Sequence, residues 1–493
     1  MAYAIREYHD VGEIYRQLKT LMSLEPLPIK KESMANYLAF YDGCSTSKTM
    51  VDEAKRYIPG GVQHNLAFNY PFPLVIDRAE GPYLYDIDGH RFIDFLQAGG
   101  PTILGGNDEA VRSQVIDVLN RVGPSTGLFH EFELLLAKEI CSHMPAVEMF
   151  RMLGSGTEAV MAAIRVARLA TGKKRVVKVG GAYHGWSDQL VYSLKIPKTG
   201  RFEAHGIPAR ASSLTDEAAP NDLGSLERVL ARNRLRGGTA CVLIEPMGPE
   251  SGTRPVDFDY NKGVRSLCDK YGALLIFDEV VTAFRIGLEG AQGYFGVSPD
   301  LTTFGKIVAG GYPSAGGLGG RKDLILRMAA GLQSGKKRAY VGGTLAANPL
   351  SAAAGYFTLK EIAKRDACAV AGRAGDRLCS GLKAAIQKRG LPFVAYNQGS
   401  ICHLETVGAM FIKMDLLRIG KVLKEIKLRK GMMEGYGAAY AAEGLVTLAG
   451  SRMYTSSADT DAVIDDAIAR FDRVFANVEG QKAPLGKKET QDE

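Results

Sequence analysis

The sequence predicts an α/β protein: a large domain around a mostly parallel sheet, with a smaller α+β domain built from both chain ends. Three observations carry this. Continuous apolar runs alternate with helical patterns from about 106 to 335, the signature of a parallel sheet covered on both faces. Short stretches between 73 and 96 (PLVIDRAEG, PYLYDIDG, HRFIDFLQ) alternate apolar with polar residues, with Asp88-Gly89 as a hairpin turn. Residues 345–478 return to helices and short polar-bounded strands that pair naturally with that meander.

These shifts divide the chain into an N-terminal extension (1–45), the first part of the small domain (46–105), the large domain (106–339), the second part of the small domain (340–480) and a polar, disordered tail (481–493). The extension reads as an amphipathic helix followed by loop, packed on a partner subunit or mobile. Within the large domain the strand candidates are 148–154, 175–181, 239–246 and 273–280, and 158–170 and 264–272 are helical.

Composition excludes several classes of function. Of the 493 residues, 46% are hydrophobic and 23% charged, so the chain is neither disordered nor fibrous. No apolar run reaches the roughly 18–20 residues that cross a bilayer. The net charge of +7 is mild for this length. The basic run Lys336, Lys337, Arg338 lacks the interleaved aromatics of a nucleic-acid module and reads as a solvated loop. The seven cysteines are scattered, without a C-x-x-C pair, so neither a disulfide framework nor a zinc site is indicated. The N-terminus carries Glu7, Asp10 and Glu13 and no apolar core stretch, unlike a secretory or transit peptide, so the expected location is cytoplasmic.

In open parallel sheets, ligands bind beyond the carboxyl ends of the strands, so the residues following each apolar run matter most. After the first run, Ser155, Gly156 and Thr157 open a helix whose free N–H groups suit a phosphate; the same Ser-x-x-Glu spacing is also an ordinary capping pattern. After the second come Tyr183, His184 and Trp186, aromatic faces for a planar cofactor or a core cluster. Glu245 follows the third run, and Asp278 and Glu279 close the fourth, where a carboxylate is costly to bury unless paired. Lys306 stands 28 residues beyond Asp278, among Phe304, Ile307 and Val308, where partial burial would lower its pKa toward that of an amine nucleophile. A phosphate cradle, a stacking aromatic, a buried carboxylate and a nucleophilic lysine on successive strand ends together suit pyridoxal 5'-phosphate, a ring that acts as an electron sink when its nitrogen stays protonated.

From about 50 to 475 the sequence resembles the class III aminotransferases of fold type I, nearest the glutamate-1-semialdehyde aminomutase subgroup. The likeness rests on YIPGGV (57–62), YLYDIDGHRFIDF (83–95), SGTEAVMAAIRVAR (155–168), YHGWSD (183–188), LIEPMG (243–248), CDKYGALLIFDEVVTAFR (268–285), PDLTTFGKIVAGGYP (299–313) and GGTLAANPLSAAAG (342–355). The resemblance implies that Lys306 is the Schiff-base lysine and Asp278 the partner of the pyridine nitrogen. It makes Ser155, Gly156 and Thr157 the phosphate loop, with Tyr183 and Val280 on the two ring faces and His184 nearby. Glu245 would lie near the phenolic oxygen, and Thr344 would reach the phosphate of a neighbouring subunit. That last role implies a homodimer with shared sites, acting on a small amino donor and a carbonyl acceptor, without nucleic acid, membrane or metal.

The resemblance breaks where the aminomutase holds its substrate carboxylate. PGGV is followed here by QHNLAFNY (63–70), without arginine; Ala98-Gly99-Gly100-Pro101 lacks the aromatic before Gly-Pro; and Tyr454 stands where the aminomutase has a glutamate. His64 and Arg452 are the substrate-binding candidates left, with Arg285 a second possible clamp, either arginine serving equally as an ordinary ion pair. The expected activity is therefore intermolecular transamination, ahead of an intramolecular aminomutase, an amino-acid epimerase or a cofactor-free scaffold.

Overall fold

The computed structural model describes residues 2–123, 125, 127–331 and 337–480. Lys336 and the tail from 481 lie outside the described residues. The strands in chain order are β1 (Ile76–Glu80), β2 (Tyr83–Asp86), β3 (Arg91–Asp94), β4 (Met149–Leu153), β5 (Arg175–Val179), β6 (Thr215–Ala218), β7 (Thr239–Ile244), β8 (Leu274–Asp278), β9 (Leu301–Gly305), β10 (Gly316–Gly320), β11 (Val394–Gln398), β12 (Ile401–Glu405), β13 (Leu445–Val446) and β14 (Arg452–Tyr454).

The large sheet has seven strands in the order β4-β10-β9-β8-β7-β5-β6. The neighbours from β9 through to β6 are parallel, and β10 runs antiparallel to both β9 and β4. Six strands therefore end on one edge. The apolar runs at β4, β5, β7 and β8 are the four that periodicity finds; β6, β9 and β10 are additions. β10 reads Gly-Gly-Leu-Gly-Gly, a composition that disfavours a strand. It forms one because its neighbours leave no room for side chains: a Cβ on Gly317 would stand 2.3 Å from the Phe150 ring, and one on Gly316 would meet the Ser155 backbone. β6 is a polar edge strand, Thr-Asp-Glu-Ala.

Helix Gly156–Thr171 packs on this sheet through Ala159, Val160, Ala162, Ala163, Ile164, Val166 and Ala167. Its small side chains permit close approach to Leu153, Cys241, Leu243 and Ile276 of the strands. The antiparallel meander β1-β2-β3 forms as the alternation implies, and β13, far downstream, adds to it in parallel. A separate three-stranded sheet, β11-β12-β14, lies under helix Ala367–Lys388, on which helix Asp461–Ala476 packs in turn.

The N-terminal extension is neither a mobile arm nor a helix followed by loop. Two helices, Val11–Ser23 and Lys31–Asp42, occupy most of its length, a third, Ser45–Ala54, follows at once, and the extension packs on its own chain. Val11, Ile14, Leu18 and Leu21 are buried, the last three in the core that holds Phe393 and Tyr396. Ile29 bridges Val478, and the Ala4 amide donates to the Ile286 carbonyl at 2.8 Å. Among the described residues no helix is long and apolar enough to cross a membrane, and all seven cysteines are free.

Arg285, just beyond β8, joins the two domains. It is fully buried, and its Nε and Nη groups donate to the Gly100 carbonyl, Ser400 Oγ, the Thr455 carbonyl and Gln97 Oε1, with the guanidinium 4.9 Å from the centre of the Tyr454 ring. Burial lowers its pKa to about 10. The sequence left Arg285 open as a substrate clamp or an ion pair. It is neither, because backbone carbonyls and neutral side chains occupy its donors. Arg285→Met would leave several buried acceptors unmatched, each costing about 1–3 kcal/mol. The expected result is a clearly lower urea midpoint, and an unchanged midpoint would refute the structural role.

Candidate active site

The register of the large sheet brings the chemistry-bearing residues together. Asp278, the last residue of β8, pairs with Thr303 of β9; Gly305 and Leu153 both pair with Gly316 of β10. Lys306 directly follows Gly305, and Ser155 lies two residues beyond Leu153, so both flank the start of β10. Glu245 follows β7, and Tyr183 and His184 follow β5, on the same edge of the sheet.

Lys306 has φ +49°, a left-handed conformation that costs a non-glycine residue energy and often marks a functional site. Burial lowers its pKa, opposed by the Asp278 charge and assisted by Arg452. A Cβ placed on Gly100 would lie 3.6 Å from Lys306 Cδ and 3.4 Å from Tyr454 Cζ, so the lysine stem runs in a narrow slot. Among the described residues no acceptor lies within hydrogen-bond range of its Nζ and no carboxylate within 4.0 Å. The amine and Asp278 therefore influence each other electrostatically without closing into an ion pair.

Asp278 is buried and tightly held. Its Oδ2 lies 2.6 Å from His184 Nδ1, and its Oδ1 accepts from Thr303 Oγ1 at 3.1 Å and the Val280 amide at 3.2 Å. Because an ionised carboxylate only accepts, this contact calls for a proton on His184 Nδ1. The buried Nε2 of that ring has no partner. Glu245 is held just as firmly: Oε1 accepts from the amides of Tyr183 (3.0 Å) and Glu250 (2.8 Å), and Oε2 from the Ser251 amide and hydroxyl. Burial raises its pKa, with Asp278 adding to the rise and His184 opposing it. Its contacts secure the Tyr183 backbone to the Glu250–Ser251 turn.

At the helix start, both readings of Ser155-Gly156-Thr157 have structural content. Ser155 Oγ accepts from the Glu158 amide at 3.2 Å, and Glu158 Oε2 accepts from the Gly154 amide at 2.8 Å, a variant of the capping box whose return bond goes to the residue before the cap. The Ser155 hydroxyl thus serves the helix, while the amide ends still face the strand edge. Val280 fills the space beside Gly156 and Gly305: a Cβ on either would come within 2.9 Å of it. Gly185 is required, since its φ is +82° and a Cβ there would stand 2.4 Å from Thr157 Oγ1. Tyr183 leaves 46% of its surface exposed beside this cluster, and the Trp186 ring is exposed at the rim.

The remaining candidates are distributed less evenly. Arg452 on β14 donates from Nη1 to the Glu250 carbonyl at 2.7 Å, has a buried Nε without a partner and forms no ion pair within 4.0 Å. Burial opposes its charge, but Tyr454, Glu250, Glu245 and Glu405 outweigh that and raise its pKa. His64 lies in an exposed turn, where Nδ1 accepts from the Leu66 amide at 3.1 Å. Leu66 reaches Gly99, so this turn approaches the Lys306 slot without presenting the imidazole to it. Thr344 is exposed, and the adjacent Gly343 lies near Glu158 of the same chain.

Sequence reading missed Lys178, the fully buried lysine of β5. It donates to the Ala182 and Tyr192 carbonyls, each at 2.8 Å, and so braces both sides of the Tyr183 loop. Burial lowers its pKa to about 8. The signal was available: a lysine inside the apolar run RVVKV needs buried acceptors, by the argument that singled out Asp278.

Glu405 on β12 responds to pH. Burial raises its carboxyl from 4.5 to about 7, against the opposing pull of Arg254 and Arg452. A carboxyl that keeps its proton when folded stabilises fully below its unfolded pKa, and that contribution is lost as pH rises through the folded value. Stability should fall between about pH 4.5 and 7 by up to about 3 kcal/mol from this group. Glu405→Gln should flatten that part of a melting-temperature profile, and an unchanged slope would assign it to other groups.

A family model described as Aminotransferase class-III matches residues 66–433. Among solved structures, the chain is similar to an omega-transaminase from Sphaerobacter thermophilus at 26% identity, covering 87% of this chain and 97% of that one, with a TM-score of 0.77. It is similar to a beta-phenylalanine aminotransferase from Variovorax paradoxus at 27% identity, covering 94% and 97%, with a TM-score of 0.75. A glutamate-1-semialdehyde-aminomutase from Pseudomonas aeruginosa PAO1 shares the fold at 21% identity, covering 95% and 99%, with a TM-score of 0.78. With most of its length matched to that model, and the motifs gathered on one sheet edge, the chain belongs to the class-III aminotransferases, enzymes that transfer amino groups with pyridoxal 5'-phosphate.

Proposed function

We propose that this chain moves an amino group from a carboxylate-bearing amino donor to a keto or aldehyde acceptor, with Lys306 as the residue that binds the cofactor aldehyde and moves the proton. The observation that carries this is the arrangement of Lys306 and Asp278: a partly buried amine without a protein partner and a buried carboxylate, close enough to affect each other yet not in contact. That separation suits an intervening heterocycle, and the partnerless His184 Nε2 points to a buried surface awaiting a polar neighbour. When bound, pyridoxal phosphate supplies an electron sink for the pair released from the donor's α-carbon.

The chain's own residues account for the rest. Asp278, oriented by His184, Thr303 and the Val280 amide, holds a proton on the ring nitrogen. Lys306, with its pKa lowered by burial, is the general base that takes the α-proton of the donor. Tyr183 and Val280 flank the ring. The amides of Gly156 and Thr157, with the Thr157 hydroxyl, hold the phosphate. Arg452 receives the donor's carboxylate, as its charge reaches Lys306 and no protein carboxylate pairs with it within 4.0 Å. A homodimer fits this reading, since Thr344, Tyr340 (84% exposed) and Leu345 (60% exposed) leave one segment rich in bare surface.

Supplying one amino compound without a carbonyl acceptor tests the reaction. The expected result is a single half-turnover, read as bleaching of the cofactor band, with Lys306→Ala inactive in both half-reactions. Continuous turnover without acceptor would instead establish a mutase or epimerase, and normal turnover by Lys306→Ala would remove the lysine from the mechanism.

Arg452 has its own test. Arg452→Lys replaces a bidentate fork by a point charge. It should raise KM for a carboxylated donor by about tenfold or more, about 1.4 kcal/mol or more, and leave an amine lacking a carboxylate unaffected. An equal effect on both donors would make Arg452 purely structural.

A further inference from the structure

Cys44, Asp86 and His90 form a cluster away from the sheet edge that the transamination chemistry does not use. Sγ of Cys44, a carboxylate oxygen of Asp86 and a ring nitrogen of His90 all lie within 4.8 Å of one another. We propose that these three side chains bind one borderline-soft divalent cation, zinc by ligand chemistry, with water completing the coordination.

The donor set is the first argument. Thiolate, imidazole and carboxylate together suit zinc better than calcium or magnesium, which take oxygen ligands. Geometry is the second. A tetrahedral zinc with ordinary bond lengths sets sulfur and nitrogen about 3.5 Å apart, and nitrogen and oxygen about 3.3 Å apart. Here Cys44 Sγ to His90 Nδ1 is 4.0 Å, and His90 Nδ1 to Asp86 Oδ2 is 2.9 Å. Shifts of roughly half an ångström, within side-chain reach, bring these two pairs to zinc spacing, and the Cys44 sulfur and Asp86 oxygen already lie within 4.8 Å of each other. The ion takes the place of the His90–Asp86 hydrogen bond, and the Cys44 thiol proton leaves to solvent as the metal–sulfur bond forms.

The surroundings prepare the site. Asp86 Oδ1 accepts from the amides of Asp88 and His90, which fixes the carboxylate and leaves Oδ2 for the ion. Asp88 adds negative charge nearby while accepting from the Thr46 and Ser47 amides and the Ser47 hydroxyl. Among the described residues no lysine or arginine forms an ion pair with either aspartate, so only His90 offsets two carboxylates. Cys44 and the Asp86 side chain are shielded, whereas the His90 side chain is 35% exposed, which gives the ion a path in. Bound there, the cation would fasten the start of helix Ser45–Ala54 to the β2–β3 hairpin.

The test is equilibrium binding of zinc alone to chelator-treated holoenzyme, with competition against a chromophoric chelator and direct metal analysis. One zinc per chain is expected. Cys44→Ser and His90→Gln should each weaken it at least about tenfold, since loss of even an outer-shell partner costs 10–100-fold, and Cys141→Ser should leave it unchanged. Cobalt substitution should give a sulfur-to-metal charge-transfer band that Cys44→Ser abolishes. Retained transaminase activity in both variants would show that they fold. Absence of stoichiometric zinc, or equal affinity in both variants and wild type, would overturn the proposal and leave a plain histidine–aspartate hydrogen bond in a turn.

Discussion

Two opposite charges held apart in a desolvated place govern this structure. Lys306 and Asp278 end adjacent strands, yet neither closes on the other. In water such a pair would gain little by meeting. At a buried edge the attraction is several times stronger, so only rigid surroundings keep the groups separated. Asp278 is immobilised by three donors, and the Lys306 stem is confined by Gly100 and Tyr454. Gly100 is in turn held by Arg285, which reaches into both domains.

The buried ionisable groups sort into two kinds by their partners. Lys178, Arg285 and Glu245 are satisfied chiefly by backbone groups, so their charges secure loops. His184 Nε2 and Arg452 Nε are buried and lack partners. An unmatched buried polar group costs about 1–3 kcal/mol, which sets these two apart from the satisfied groups. The two kinds are interleaved: Lys178 and Glu245 brace the loop whose His184 holds Asp278.

Much of this was legible from the residues. The four largely apolar strands, the antiparallel meander and the order of chemical groups along the chain all follow from periodicity and from the cost of placing charge after an apolar run. The Ser155–Glu158 spacing signalled the capping box, and the same helix start offers its amides to the sheet edge. Less legible were β10 and the extension. Gly-Gly-Leu-Gly-Gly carries no strand propensity of its own, and its conformation is imposed by Phe150 and the Ser155 backbone across it. The extension's polar stretches hid the helix Lys31–Asp42, which gains stability by packing on residues hundreds of positions away.

The amino-acid sequence by itself determined the class of fold, the family and the types of side chain available for chemistry, because these depend on local pattern and composition. Only the tertiary structure decided which arginine is free. Arg285 and Arg452 look alike in the sequence, but one has its donors taken by carbonyls and neutral side chains and the other keeps a buried Nε without a partner and no carboxylate bonded to it. The difference in hydrogen bonding arises from contacts across more than a hundred residues, which no local pattern encodes, and hydrogen-bonding groups become free or occupied only when the chain closes around them.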